Sequence, residues 1–513
     1  MPTQLKHETA QVRTIIHDFR DGKLVVPEFQ RDYVWPPSRA AKLLDSLYHK
    51  YPISSLLVWE SEDDVEVRRH EPQRALNASL GWLIDGQQRV ITLARTRAGD
   101  EDIDVAFNVE TEGFSRTNAA TRKDDRWIRV ADVWDDDWFF RFRRNLPEDV
   151  RGRRTEQRLE CLRAILDYEV PIVRMVGYSF TDAVNAFTRI NSYGVRLKAE
   201  DLQSARIAEK HSGFIRKKLS PFIHDLRKRG FDRISATHLF RACAFIAHPD
   251  GRRRTPLHDL DTLEVERAWK RTKDAVEAAL GLIGGELGIA DMSVLWSGSL
   301  LVPVIALCGT IPPKERDDRE IAGWVAGAAL RHRYSRSSGT ALEQDLRACR
   351  ADDPIRQLLA NLKQSTGLWA SAADFDGSLA DRSGLLAMFV ACKHLGAKDL
   401  LTGRTIQLRS KIDRHHILPR AFFAVGAERQ RADSLANIAF IVSDSNKSIS
   451  DGNPENYLAS VEPAILKSQA IPTDKDLWNV NRSDEFWAKR EELLADAFND
   501  YLKSAFASRR SIG

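Results

Sequence analysis

Two adjacent histidines, His415 and His416, stand in the stretch DRHHILPRAFF. An imidazole can accept a proton near neutral pH and can also ligate a metal, which makes it a natural part of metal-assisted phosphodiester hydrolysis. That reaction needs one histidine as general base on a water and two ligands holding a divalent cation on the scissile phosphate. A further polar residue orients the base. Segment 413–447 offers such parts in a compact layout. RHHILP reads as a strand ended by Pro419, and SLANIAFIVSDSNKSIS as a second strand running into a helix start. Asn437 opens the second strand, and Asn446 follows nine positions later. A lone histidine pair on a strand, or an Asn before an apolar run, is ordinarily scaffold or turn. The four residues together, with the proline and this spacing, favour a site.

The pattern HHILP…N…N resembles the motif of HNH endonucleases, whose centre is a ββα-metal unit. The resemblance implies His416 as general base and His415 and Asn446 as metal ligands. Asn437 would hold His416 through its backbone or side-chain amide. Asp413 shares a strand face with His415 and is the alternative ligand, and Lys447 is placed to touch a phosphate. His415 departs from the commoner acid at its position, yet imidazole is chemically adequate for Mg or Mn, with Zn as the alternative.

A second polar cluster lies in LIDGQQRVITL, residues 83–93. A strand ending in Asp-Gly, followed by two amides and an arginine at a helix start, gathers phosphate-binding groups on one turn. Backbone N–H groups at a helix N-terminus attract anions, and a guanidinium can clamp a phosphate with two bonds. The chain contains no GxxxxGK[ST], so a P-loop is excluded. DGQQR, together with VPEFQRDYVWPPSRAAKLLDSL and FTRINSYGVRLKAEDL, resembles the N-terminal domain of GmrSD-type restriction endonucleases. That domain is of the ParB/sulfiredoxin-like kind. The resemblance implies that Asp85, Gly86, Gln87, Gln88 and Arg89 bind and hydrolyse a nucleoside triphosphate, be it GTP, ATP, CTP or UTP. Gln30, Arg31, Arg189 and Asn191 would line the same cleft, a buried polar network under DGQQR being the alternative for Gln30 and Arg31. Tyr33 and Trp35 would sandwich a base or belong to the core, and core is the favoured place for Trp35. LRHRYSRSSGTALEQDL also resembles a segment of this family, so Arg331, Arg333 and Arg336 are expected on DNA, with a solvated helix end as the alternative.

These groups need scaffolds, and 513 residues exceed one ordinary core. The expected architecture is multi-domain α+β. A ParB/sulfiredoxin-like sensing domain spans 1–235, a helical block 236–400, and an HNH domain 401–513. With 43% hydrophobic and 29% charged residues the composition is globular. No apolar run reaches the length of a membrane span, there is no apolar signal core, and the five cysteines are scattered singly. A reduced, cytoplasmic setting is expected. Net charge is only +4, but arginines clump in RFRR, RGRR, GRRRT and RHRYSR, which suits a phosphate backbone. The expected function is a nucleotide-regulated, modification-dependent DNA endonuclease of antiphage defence. It would belong to type IV restriction or, like the SspE-like proteins, be linked to phosphorothioation. Its partners would be modified double-stranded DNA and a nucleotide, with a homo-oligomer left open. The alternatives are a non-cleaving sensor with a degenerate HNH domain, and an RNA nuclease.

Overall fold

The computed structural model describes residues 3–27, 33, 35–61, 81–193, 204, 206–208, 210–211, 213–248, 257–335, 338–365, 367–406, 413–424, 429 and 431–509. The chain divides into two units, Met1–Pro221 and Phe222–Gly513. The boundary expected near 400 lies inside the second.

Among the described residues, eight strands build the first unit: β1 (Gln4–Gln11), β2 (Leu24–Val25), β3 (Leu56–Glu60), β4 (Gly81–Asp85), β5 (Val105–Asn108), β6 (Gly113–Arg116), β7 (Trp127–Arg129) and β8 (Glu169–Val176). The main sheet has the order β1-β8-β3-β4-β2, and a small second sheet the order β6-β5-β7. Pairing in the main sheet is mixed, with β3 parallel to β8 but antiparallel to β4. Helices cover it by their apolar stripes. In Val12–Arg20, Val12, Ile15, Ile16 and Phe19 are all buried, at helical spacing. Pro37 opens the helix Pro37–Tyr48, and Leu43, Leu44 and Leu47 face the core as their spacing predicts. The helix Phe180–Tyr193, whose C-terminal half carries FTRIN, packs beside β4.

The second unit begins with helices, among them Ala236–Ala247, Thr262–Leu282, Leu301–Thr310, Asp318–Leu330 and Arg382–His394. Asp261 caps the second of these by accepting the Glu264 N–H at 2.8 Å. Asp318–Leu330 is buried along almost its whole length. Its Gly323 sits where an added Cβ would lie 2.8 Å from the Phe506 ring. From Asp413 onward a hairpin of β9 (Asp413–His416) and β10 (Ile438–Ile441), several short helices and the long helix Ser483–Ala505 enclose a separate apolar cluster. Ile417, Leu418, Ile441, Phe486 and Trp487 belong to it. Among the described residues no helix is long and apolar enough to cross a membrane.

Candidate functional site

The C-terminal hairpin is antiparallel, with His416 opposite Ile438, His415 opposite Ala439 and Asp413 opposite Ile441. A short helix, Ser443–Ile449, follows β10 at once and folds back on β9. Strand, strand and helix thus stand in the order the sequence suggests. Asp399 fixes the corner between β10 and the helix, its carboxylate accepting from Val442 N at 2.9 Å and from Ser445 Oγ at 2.7 Å. Burial works against the charge, but hydrogen bonds from Thr402, Val442 and Ser445 hold the Asp399 carboxyl below its ordinary value. From beneath, the Arg490 guanidinium, fully buried, donates to the carbonyls of Ala436 at 2.8 Å, Ile438 at 2.6 Å and Gln469 at 3.2 Å. Desolvation lowers its pKa to about 10.

The chemistry-bearing side chains meet on this frame. Asn446 Nδ2 donates to Asp413 Oδ2 at 3.1 Å, which orients the amide and aims Oδ1 at His415 Nδ1, 3.0 Å away. Ser443 Oγ donates to the other Asp413 oxygen at 3.1 Å. On its far side His415 Nε2 lies 3.4 Å from the Tyr457 hydroxyl, whose one proton goes to the Ile417 carbonyl at 2.7 Å. His415 is therefore flanked by an acceptor on each side, and a neutral imidazole has one proton to give. Protonating the ring would serve both, but burial of His415 pushes its pKa below the ordinary histidine value, against the Asn446 hydrogen bond.

A cation between Nδ1 and Oδ1 would remove the conflict. Two ligand atoms each about 2.1 Å from an octahedral metal and cis to one another stand about 3 Å apart, the separation found here. Imidazole nitrogen with amide and carboxylate oxygen suits Mg, Mn or Zn. Among the described residues no group of three or more His, Cys, Asp or Glu is placed to hold a metal. His415, Asn446 and Asp413 are brought together, His415 against the amide oxygen of Asn446 and Asp413 against its amide nitrogen.

His416 points elsewhere. Its Nε2 lies 2.9 Å from Asp433 Oδ1, and Arg420 holds the other oxygen of that carboxylate at 3.3 Å. Asn437 does not hold the His416 ring. Its side chain accepts from Leu418 N at 2.9 Å and donates to the carbonyls of Leu418 and Ala432, both at 2.8 Å. Its backbone carbonyl receives Ile417 N at 2.8 Å. Asn437 thereby closes the loop that carries Asp433 up to His416. Asp433 and Tyr457 were missed from sequence: an Asp in a turn and a Tyr on the helix Pro454–Ala459 carry no local signal. Lys447 is exposed on the Ser443–Ile449 helix.

In the first unit, β4 passes through Gly86 into the helix Gln87–Ala98. Gly86 has φ of +92°, and a Cβ there would come within 2.2 Å of Leu56 Cδ2, so the turn requires glycine. Arg89 is spent internally. Its guanidinium donates to Ile53 O at 2.5 Å, to Ser54 O and Ser55 O at 2.7 Å each, and lies 3.4 Å from Asp85. The side chain expected to clamp a phosphate here anchors a loop, because three consecutive carbonyls turn toward it. Gln87 and Gln88 are buried, while the Asp85 side chain keeps 35% exposure. Tyr33 bonds Thr92 Oγ1 at 2.9 Å, and Tyr33 and Trp35 both pack partly buried against the core of the unit. Arg189 is exposed, and Asn191 lies in the same helix. Gln30 and Arg31 fall outside the described residues.

The arginines expected on DNA have acidic partners that the sequence reading did not find. Arg331 pairs with Asp374 at 2.7 Å, and Arg333 pairs at 3.1 Å with Asp345, which is fully buried and also takes Tyr334 Oη at 2.6 Å. Both arginines serve the packing of the helical region. Arg336 lies outside the described residues.

Residues 12–208 match the family model described as the N-terminal domain of GmrSD restriction endonuclease. The chain is also 21% identical, over 92% of its own length and 90% of the relative's, to an uncharacterised protein of Methanocaldococcus jannaschii. The segment that folds around the DGQQR turn is thus similar to the N-terminal domain of the GmrSD restriction endonucleases.

Proposed function

We propose that the chain is a metal-dependent DNA endonuclease whose cutting centre is the His415–His416–Asn446 hairpin, governed by a nucleotide at the DGQQR turn and directed at modified DNA in antiphage defence. The observation that carries the cutting centre is the close approach of His415 Nδ1 and Asn446 Oδ1, 3.0 Å apart, on a ββα frame. Asp413 orients Asn446, and Tyr457 backs His415. A cation held there supplies positive charge for the scissile phosphate. His416, adjacent on β9, takes the proton of the attacking water, and Lys447 lies exposed on the neighbouring helix to meet the backbone. The resemblance to HNH endonucleases supports this centre, and the match of residues 12–208 to the N-terminal domain of a restriction endonuclease supports a restriction role.

For the nucleotide, Asp85 is the accessible polar side chain of the turn, whereas Arg89 holds the loop 53–55 in place. Asp85 is accordingly the residue that faces a nucleotide or its cation. A switch of this kind needs a coupling of about 1–3 kcal/mol between nucleotide and cutting centre.

The test is nicking of supercoiled plasmid, modified and unmodified, with Mg²⁺ or Mn²⁺ and with or without each nucleoside triphosphate. His416→Ala is expected to lose about 10²–10⁴ in cleavage rate while retaining nucleotide turnover, and Asp85→Ala to lose nucleotide turnover and with it the response of cleavage to nucleotide. A His416→Ala protein that nicks at the wild-type rate refutes the centre.

A further inference from the structure

A general base must present a lone pair to its water, and an imidazole does so only if its one proton is held at the other nitrogen. What holds it decides which atom works. We propose that Asp433 is the positioning residue of the centre, accepting the Nε2–H of His416 and so leaving Nδ1 as the proton-accepting atom. This inference rests on the nuclease reading above.

Three observations support it. Asp433 Oδ1 lies 2.9 Å from His416 Nε2, a hydrogen-bond distance that assigns the proton to that nitrogen. The carboxylate is itself held, since Arg420 takes Oδ2 at 3.3 Å and the Asp433 backbone carbonyl accepts Leu379 N at 3.1 Å. The segment carrying it is closed by a purpose-built clamp, Asn437 bridging Leu418, two residues after His416, to Ala432, one residue before Asp433. The base on β9 and its orienting carboxylate are therefore fixed by one buried side chain, although they lie on opposite sides of the loop that follows the strand.

A plain surface ion pair would sit in the same place, but it predicts different behaviour. Both side chains keep a quarter to a third of their exposure, 25% and 30%. A pair so exposed contributes little to folding, and its loss as a mere ion pair would leave catalysis alone. If Asp433 acts through His416, Asp433→Ala should lower kcat about 10–100-fold, the usual cost of removing an orienting partner, with KM for DNA nearly unchanged. Asp433→Glu should restore part of the loss. In a His416→Ala background, adding Asp433→Ala should cost nothing more, because groups that act as one unit are not additive.

A readout independent of cleavage is ¹⁵N NMR of histidine-labelled full-length protein, with the His416 ring identified by its absence in His416→Ala. The wild type is expected to carry the proton on Nε2, and Asp433→Ala to show a mixture of tautomers. Full kcat in Asp433→Ala, or a wild-type ring protonated on Nδ1 alone, overturns the proposal. An inactive His416→Ala beside a fully active Asp433→Ala would sink this inference while leaving the nuclease reading standing. A His416→Ala protein of wild-type activity would sink that reading instead, and the tautomer would then decide alone whether Asp433 holds the ring.

Discussion

Truncating Asn437 to alanine should weaken the second unit more than any surface change near the centre. The residue is fully buried, and its side chain makes three hydrogen bonds to main-chain groups: the N–H and the carbonyl of Leu418, and the carbonyl of Ala432. A buried hydrogen bond contributes about 1 kcal/mol net, so three of them set a floor near 3 kcal/mol. The variant also leaves one donor and two acceptors beside Ile417, Leu418 and Leu435, where an unsatisfied group costs about 1–3 kcal/mol. Water entering the small space relieves part of this, and we expect a loss of about 3–5 kcal/mol. Urea unfolding followed by hydrogen exchange at the Leu418 amide reads the effect where it arises, apart from the first unit. Asn437→Asp is the isosteric partner experiment. It still accepts from Leu418 N but turns a carboxylate oxygen toward two carbonyls, so it should be at least as damaging. A loss below about 1 kcal/mol in both variants would refute the clamp.

Two further outcomes are expected. Arg333→Ala leaves Asp345 buried without its cation, which should cost about 3–5 kcal/mol and leave the salt slope of DNA binding unchanged. A variant that folds like the wild type but binds DNA with a reduced slope would return Arg333 to the interface. Glu491 is pushed up to about 7 from its ordinary 4.5, first by burial and then by Asp376. Because its folded pKa lies above the unfolded one, folding takes up a proton there, and stability is lost as pH rises from about 4.5 through about 7. Glu491→Gln should flatten the melting temperature over that window, and an unchanged pH dependence would remove Glu491 as its source.

The sequence carried the local features and missed the distant ones. Asp-Gly between an apolar strand and an apolar-striped helix announced the β4 turn, since only glycine fits its φ of +92°. Pro419 and the apolar runs on either side announced the β9–β10 hairpin, and their spacing put Asn446 beside His415. Partners chosen by tertiary folding were invisible. Arg333 meets Asp345 only because the helix Ser338–Ala348 turns back on it, and Arg331 meets Asp374 from a separate segment. Arg89 looked like a phosphate clamp because nothing local reveals that three carbonyls of another loop converge on it. Asp433 is silent for a related reason. An aspartate in a turn has many uses, and its pairing with His416 depends on where Asn437 closes the loop.

Arg490 bears on the order in which the molecule is made. The arch from Ala436 to Ile438 is fastened from below by a guanidinium that belongs to the long C-terminal helix, and it reaches two carbonyls there and a third at Gln469. A chain emerging from the ribosome presents His415, His416 and Asn446 well before that helix exists, and N-terminal parts fold first. Until Arg490 arrives, the carbonyls of Ala436 and Ile438 lack their buried donor, and the turn that sets Asn437 is unsupported. The DGQQR turn and its sheet can therefore be complete while the histidine hairpin is still unformed. Synthesis itself imposes a sequence in which the segment similar to the GmrSD N-terminal domain precedes the one proposed to cut.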